Sequence, residues 1–387
     1  MKALKDVLKL PILVIVTVIL MTGADVVRIY GAQGGSNPDA SVSSILEKYA
    51  LSSIDTQIDG LNFEELVQNI ISDGVTVSLP KLWSRLVNAA VSGLKANVAG
   101  ICQILIIAIF TAVFTNFASV FADTSISDTG KKLSRIAAVT VMVSVYTCTA
   151  GIARDVLSGV TSFIKMLMPA YISCIALCSG NFSAAAFSEG VMLAVLVINY
   201  VFSNIVITGG SIYVMIKAAD AITGGGLDKM AELVMTALKW IIKSAMAAVI
   251  GINIIQGMVA PMADGVNRGV LTRAVSLIPG IGGGVSALSS VLLGAGALIK
   301  NGMGAAALIV IVTICAVPVA KLAMFTAAYR CVGAFTQPVC GKEFAEMITG
   351  FAEAMKLMLS LVVSSLATVF IVIAVICIST SPSGNGV

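Results

Sequence analysis

Residues 300–321 read KNGMGAAALIVIVTICAVPVAK, an apolar run with a lysine at each end. Between Lys300 and Lys321 there is no Asp, Glu, Lys or Arg. A charged side chain at the centre of a bilayer costs roughly 2.5–3.5 kcal/mol on the insertion scale, so a long charge-free run indicates a membrane span. At about 1.5 Å per residue, about 20 helical residues cross a hydrocarbon core of about 30 Å. This run therefore predicts a transmembrane helix.

The same pattern recurs along the chain of 387 residues, of which 58% are hydrophobic and 11% charged. Soluble domains carry about 25% charged residues. The charge-free runs are 96–122, 136–153, 166–188, 190–216, 244–263, 274–299, 301–320 and 357–387. We expect about six to eight spans, because Gly, Asn and Pro interrupt some of the longer runs. The predicted fold is an all-α polytopic helical membrane protein.

Residues 1–32 have the pattern of an export signal. Lys2, Lys5 and Lys9 flank the start of an apolar stretch, LPILVIVTVILMTGA, which is followed by small residues. This is typical of a secretory signal peptide, and the alternative is an uncleaved anchor ending near Val27. Both interpretations export residues 33–95, a segment of ordinary soluble composition whose apolar spacing predicts helices.

Export of residues 33–95 sets an orientation for the multi-span membrane domain, residues 96–387. The first span, within 96–122, then runs inward. The basic group at 131–135 therefore lies in the cytoplasm, as the positive-inside rule favours. On this count, Arg154 and Lys165 fall on the outer side, in a connection between two spans.

Three amphipathic segments adjoin charge-free runs: 78–95, 226–244 and 342–358. In each, an apolar stripe lies opposite charged residues. The two tryptophans of the chain fall in the first two segments, and such rings prefer the membrane boundary. We predict interfacial helices, although packing of 78–95 against a neighbouring helix is an equal alternative. The predicted interface anchors are Trp83, Trp240, Lys81 and Arg85.

The sequence contains no histidine, so it lacks the usual general base and the commonest zinc ligand. Intramembrane zinc proteases and rhomboid-type proteases both need histidine and are disfavoured. Cys174 and Cys178 lie one helical turn apart without further ligands nearby, which favours buried free thiols over a metal site. No basic patch with interleaved aromatics supports nucleic-acid binding. We predict no enzyme activity, cofactor or metal.

The stretch 277–304 combines Pro and Gly with apolar residues. GGGVSA, residues 282–287, matches the loose G-x-G-x-x-A dinucleotide pattern, but the strand and the acidic residue that the pattern needs are absent. The stretch instead predicts a broken membrane helix. Simple helix packing and a pore or re-entrant element are both open interpretations. The predicted path-lining or partner-docking residues are Pro279, Gly280, Gly282, Gly283, Gly284, Lys300, Asn301, Pro318, Lys321, Gln337 and Pro338.

A proton- or sodium-coupled transporter ordinarily places a carboxylate at mid-bilayer, and the predicted spans contain none. This disfavours coupled transport, and coupling through uncharged groups is the alternative. The polar residues expected within spans are Asn199, Asn204, Asn253 and Gln256. Hydrogen bonds between helices explain them without transport.

The second half of the chain resembles a known family. The residues that carry the resemblance are Pro279 with its glycines, Lys300-Asn301 followed by Gly304, Pro318 with Lys321, Tyr329-Arg330 and Gln337-Pro338. This region is similar to the C-terminal membrane region of the stage III sporulation protein AE family of endospore-forming Firmicutes. The order of export signal, exported segment and multiple spans also fits that family.

The resemblance implies a non-enzymatic subunit of the transenvelope, secretion-like channel complex between mother cell and forespore. The implied partners are membrane lipid, the other proteins of the stage III sporulation A operon and a forespore membrane partner. The implied location is the mother-cell membrane surrounding the forespore, and the implied role is to sustain forespore development and late forespore sigma-factor activity. The alternative function is a stand-alone small-solute permease.

Overall fold

The computed structural model describes residues 124–179, 182–276, 282–340 and 342–379, with three isolated positions before residue 124. Every regular element in these ranges is a helix, and the all-α prediction is confirmed. The elements are α1 (Thr124–Ser179), α2 (Phe182–Val201), a π-helical turn (Phe202–Val206), α3 (Ile207–Thr223), α4 (Asp228–Ser276), α5 (Gly282–Cys340) and α6 (Lys342–Ser379). The predicted export signal, the exported segment and three of the predicted anchors, Trp83, Lys81 and Arg85, lie outside the described residues.

Five helical segments of the described part are long and apolar enough to cross a membrane. They are Lys132–Ala176, Ala185–Thr223, Asp228–Ile255, Ile299–Pro338 and Phe344–Cys377. The second joins α2, the π-helical turn and α3, because the Ile207 N–H bonds the Phe202 carbonyl and the helix continues through the turn. A polytopic membrane protein is therefore confirmed, while the total number of spans stays a prediction.

The five segments pack in alternating directions around α6, which is the most enclosed of them. The most apolar window of the α6 segment is 61% buried, against 22% for that of α4. Contacts along α6 fix the relative depth of its neighbours: α1 and α4 run parallel to it, and α3 and α5 run antiparallel. The contacts are Tyr171 with Cys377, Lys239 with Glu353, Tyr213 with Gly350, Gly304 with Cys377, and Gly333 with Thr349.

These contacts bring four charge-free runs to the same depth. Residues 357–377 of α6 rise about 30 Å, and they lie beside 190–216, 244–263 and 301–320 of the neighbouring segments. The shared thickness matches a hydrocarbon core of about 30 Å. We call this zone the apolar layer.

Outside the apolar core of the bundle, the surface of α2, α3 and α4 is covered by large hydrophobic side chains. Val197, Ile212 and Trp240 are 61%, 49% and 71% exposed. Such a surface suits lipid, because a soluble protein rarely exposes so much contiguous apolar area.

Helix α1 differs from the sequence-based expectation. We expected Arg154 and Lys165 in a connection between two spans, and this is wrong: Thr124–Ser179 is one continuous helix. Val156, Leu157 and Val160 are buried at helical spacing in the region between the two charges. Because the charged side chains share the opposite face, the helix continues through them while keeping its apolar face on the bundle.

Candidate functional site

A cavity of about 790 Å³ opens at the end of the bundle where α3 turns into α4 and α6 begins. We call it the polar chamber. Three basic and five acidic side chains line it, so its lining carries a net charge of −2. The charged lining residues are Arg135, Lys217, Lys239, Asp220, Asp228, Glu232, Glu346 and Glu353. They come from α1, α3, α4 and α6, so the chamber depends on the assembled bundle.

Ion pairs tie the helix ends together around the polar chamber. Glu353 of α6 pairs with Arg330 of α5 and with Lys239 of α4, whose Nζ lies 3.5 Å from the Glu353 Oε2. Lys217 of α3 pairs with Asp228 of α4. Because these side chains are partly exposed, we assign each pair about 1 kcal/mol or less. Their main consequence is to fix which helices meet at this end.

The α3–α4 turn forms one wall of the polar chamber. Gly224, Gly225 and Gly226 have φ angles of 88°, 106° and 117°, a region that favours glycine. Asp220 closes the turn: its Oδ1 accepts a hydrogen bond from the Leu227 N–H at 2.7 Å, and its carbonyl accepts from Gly224 and Gly225. The three glycines thus let the chain reverse within a few residues and bring Asp228 back beside Lys217.

The opposite end of the bundle holds a buried cation. Lys300 is fully buried, and its Nζ donates to the Cys377 carbonyl at 3.3 Å, two residues before α6 ends at Ser379. The last carbonyls of a helix have no partner within the helix and carry partial negative charge. Lys300 therefore stabilises the end of α6 and fixes the antiparallel register of α5 and α6.

Close packing surrounds this cation. The Tyr171 hydroxyl lies 3.0 Å from the Cys377 Sγ, and the Cys174 Sγ lies 3.6 Å from the Met303 sulfur. A methyl group added at Gly304 would lie 2.3 Å from the Cys377 Sγ. The absence of a side chain at Gly304 is what lets α1, α5 and α6 meet.

A buried polar pair joins two helices within the apolar layer. Ser365 donates to the Asn199 Oδ1 at 2.6 Å, which joins α6 to α2. The interhelical explanation of the span asparagines thus applies to Asn199. Asn204 and Asn253 instead donate to carbonyls of their own helices, Tyr200 and Val249.

The predicted path-lining or docking residues are spread along α5. Gly282, Gly283 and Gly284 are its first residues, while Pro279 and Gly280 lie outside the described residues. Pro318 lies inside the helix without ending it. Asn301, Pro318 and Lys321 are half-buried, and Gln337 and Pro338 are exposed. From Lys300 to Gln337 the helix rises about 55 Å. The structure therefore does not gather these residues into one cluster, and their role stays a proposal.

Sequence reasoning did not find the polar chamber. The segment 226–244 signalled it, because Asp228, Glu232 and Lys239 share one helix face. That face points into the chamber, while Trp240 points outward. Segments 226–244 and 342–358 form the first turns of α4 and α6. Among the described residues, no three His, Cys, Asp or Glu side chains converge to hold a metal ion.

Long apolar helices at a common depth, with a charged chamber at one end of the bundle, define a polytopic helical membrane protein. The chain belongs to the stage III sporulation protein AE family, whose model matches residues 61–380. The resemblance noted in the sequence is confirmed, and the family is one of sporulation proteins. No curated protein and no solved structure matched the chain in the comparisons.

Proposed function

We propose that the protein is a non-enzymatic membrane subunit of the channel complex that joins mother cell and forespore, where it sustains forespore development and late forespore sigma-factor activity. The family match over residues 61–380 is the observation that carries this proposal. The five apolar segments support it, since a subunit of such a complex has to be anchored in a membrane. The proposed location is the mother-cell membrane around the forespore.

The orientation proposed for the bundle places the polar chamber in the mother-cell cytoplasm. Arg135 lines the chamber, and Lys131 and Lys132 precede it at the same end of α1, where the positive-inside rule favours the cytoplasm. Five alternating segments then put the end of α6 on the opposite side, in the space between the two membranes. The exported residues 33–95 belong to that same space.

In this orientation the polar chamber is a docking site for a cytoplasmic or juxtamembrane segment of another subunit from the same operon. Its net negative lining favours a basic segment, because complementary charge steers association. Gln337 and Pro338 are exposed near the end of α5 that Arg330 ties to the chamber, and we propose partner docking for them as well.

A clean deletion tests the proposed role in sporulation. We expect development to stop after engulfment, a late forespore sigma-factor reporter to stay low, and the intact chain supplied in the mother cell to restore both. Supplying the same chain only in the forespore is the matched control and is expected not to restore them. Normal spore yield from the deletion strain would overturn the proposal.

The alternative is a stand-alone permease, for which the 790 Å³ chamber would be an entry site. Purified chain in liposomes, without other subunits, discriminates between the two functions. We expect no solute uptake above that of empty liposomes, because the proposed role needs the other subunits. Saturable uptake by the chain alone would favour the permease.

A further inference from the structure

Helix α1 exposes a face that is unlike the rest of the bundle surface. Its exposed residues between positions 138 and 176 are Thr140, Ser144, Thr147, Cys148, Arg154, Asp155, Ser158, Lys165 and Pro169. At about 100° per residue these positions fall within about one third of the helix circumference, so they share one face of the helix. We call this face the α1 stripe. It includes no large apolar side chain, whereas α2, α3 and α4 expose Val197, Ile212 and Trp240.

From Thr147 to Pro169, the α1 stripe lies within the apolar layer. Tyr171 contacts Cys377 at one edge of that layer, and Arg154 lies 17 positions earlier on the same helix, about 25 Å away. The opposite edge of the layer lies near Met358 of α6. Tyr146 and Met358 both approach Gly210, so Tyr146 marks that edge on α1. Arg154 is about 12 Å further along α1 than Tyr146. Arg154 and its neighbour Asp155 thus lie inside the layer, closer to the edge at Met358 than to the edge at Cys377.

Lipid is an unfavourable neighbour for the α1 stripe. Each ionised side chain at mid-bilayer costs roughly 2.5–3.5 kcal/mol on the insertion scale. Arg154, Asp155 and Lys165 make no ion pair among the described residues. The hydroxyls of Thr140 and Thr147 donate to carbonyls of their own helix, so the unfavourable contact with lipid comes from the ionised side chains. Charged residues at this depth normally face protein or water.

A dry contact between parallel copies of α1 does not balance these charges. Parallel packing would bring each Arg154 near another Arg154 and each Lys165 near another Lys165, with one Asp155 per copy. Like charges in a desolvated contact repel, and an unpaired buried charge costs several kcal/mol. Water solvates all three side chains without such a mismatch.

We propose that the α1 stripe lines a water-filled path across the membrane, and that its net positive charge favours small anions. The path is completed by neighbouring subunits, because one exposed helix face encloses no channel. The inference deepens the proposed channel function. It rests on that proposal in one respect, the premise that α1 spans the membrane. It also moves the path from the glycine-rich part of α5 to α1.

Two exposed positions at equal depth allow a matched test. The depth of Ser158 follows from its neighbour Gly159, which packs beside Ile314 of α5. Ile314 is ten positions, about 15 Å, from Gly304 at the edge of the layer. Val197 lies two positions before Asn199, whose partner Ser365 is about 18 Å along α6 from Cys377. Ser158 is on the α1 stripe, and Val197 is on the apolar surface of α2.

The experiment labels the full chain in its native membranes with a membrane-impermeant methanethiosulfonate, and mass spectrometry quantifies each modified peptide. The variants are Ser158→Cys and Val197→Cys, and the exposed native Cys148 reports on the stripe without any substitution. The thiolate is the reactive form and lipid suppresses it, so we expect Ser158→Cys to react about tenfold or more faster than Val197→Cys. We also expect the anionic sulfonate reagent to outpace the cationic ammonium reagent at position 158, relative to free cysteine.

Equal, slow labelling at 158 and 197 would overturn the proposal whatever the reactivity of Cys148 near the edge of the layer, as would a disulfide between copies at position 158 without labelling. Faster reaction of the cationic reagent would overturn the preference for anions. Labelling does not depend on spore formation, so its failure is distinguishable from failure of the proposed sporulation role.

Discussion

Replacing Gly304 by alanine tests the contact that holds α1, α5 and α6 together. The added Cβ would lie 2.3 Å from the Cys377 Sγ and 3.0 Å from the Tyr171 hydroxyl. Cys377 therefore has to move by more than 1 Å, roughly the shortfall from ordinary van der Waals contact, and its contact with Tyr171 is disturbed. Overpacking costs about 1–3 kcal/mol, and removing a helical glycine returns about 1 kcal/mol. We expect a net loss of up to about 2 kcal/mol.

Gly251→Ala is the matched control, because Gly251 lies in α4 with no atom within 4 Å of the added Cβ. The helix-propensity gain is common to both variants, so their difference isolates the steric cost, about 1–3 kcal/mol. The thermal midpoint of the purified chain in detergent measures it, at roughly 2–4 °C per kcal/mol for domains of moderate size. Adding Cys377→Ala to Gly304→Ala should recover much of the loss. Equal midpoints for the two glycine variants would refute the reasoning.

Three further expectations concern the other contacts. Ser365→Ala leaves the Asn199 Oδ1 without its donor in the apolar layer and should lower the unfolding free energy by about 1–2 kcal/mol. An unchanged thermal midpoint would show that this hydrogen bond does not stabilise the fold. Glu353→Gln weakens two ion pairs of about 1 kcal/mol or less each, so it should cost about 2 kcal/mol or less, and the loss should shrink in high salt. The control is Glu232→Gln, which removes another acidic side chain from the chamber lining. Equal losses of stability in the two variants would count against the Glu353 ion pairs. A C-terminal tag and Lys217→Cys should be accessible from opposite faces of membrane vesicles, and access from the same face would contradict the alternating order.

The apolar layer was predictable because lipid acts on each residue separately. Charges are costly at mid-bilayer wherever they fall in the sequence, so the gaps 190–216, 244–263, 301–320 and 357–387 already marked the helices. The same rule failed at Arg154, because charge spacing along the chain does not show which side of a helix meets lipid. In the proposed water-filled path, the Arg154 face meets water and escapes that cost.

The contacts between helices could not be predicted from the sequence. Asn199 was expected to bond across helices, but the sequence did not indicate its partner. Ser365 lies 166 positions later and meets Asn199 only because α2 packs on α6. The sequence pattern also did not indicate that Lys300 bonds the end of α6. The polar chamber depends on four helices meeting, so its residues carry only a local amphipathic signal.

The central claim is that the helices cross one apolar layer of bilayer thickness, and nitroxide accessibility along α2 and α3 tests it most directly. Single labels at Phe187, Val197, Ile205 and Met215, all exposed, sample the layer from edge to edge in reconstituted membranes. We predict the highest collision rate with oxygen at Val197 and Ile205, and the highest rate with a water-soluble nickel complex at Phe187 and Met215. Equal access of the nickel complex to all four positions would contradict the account.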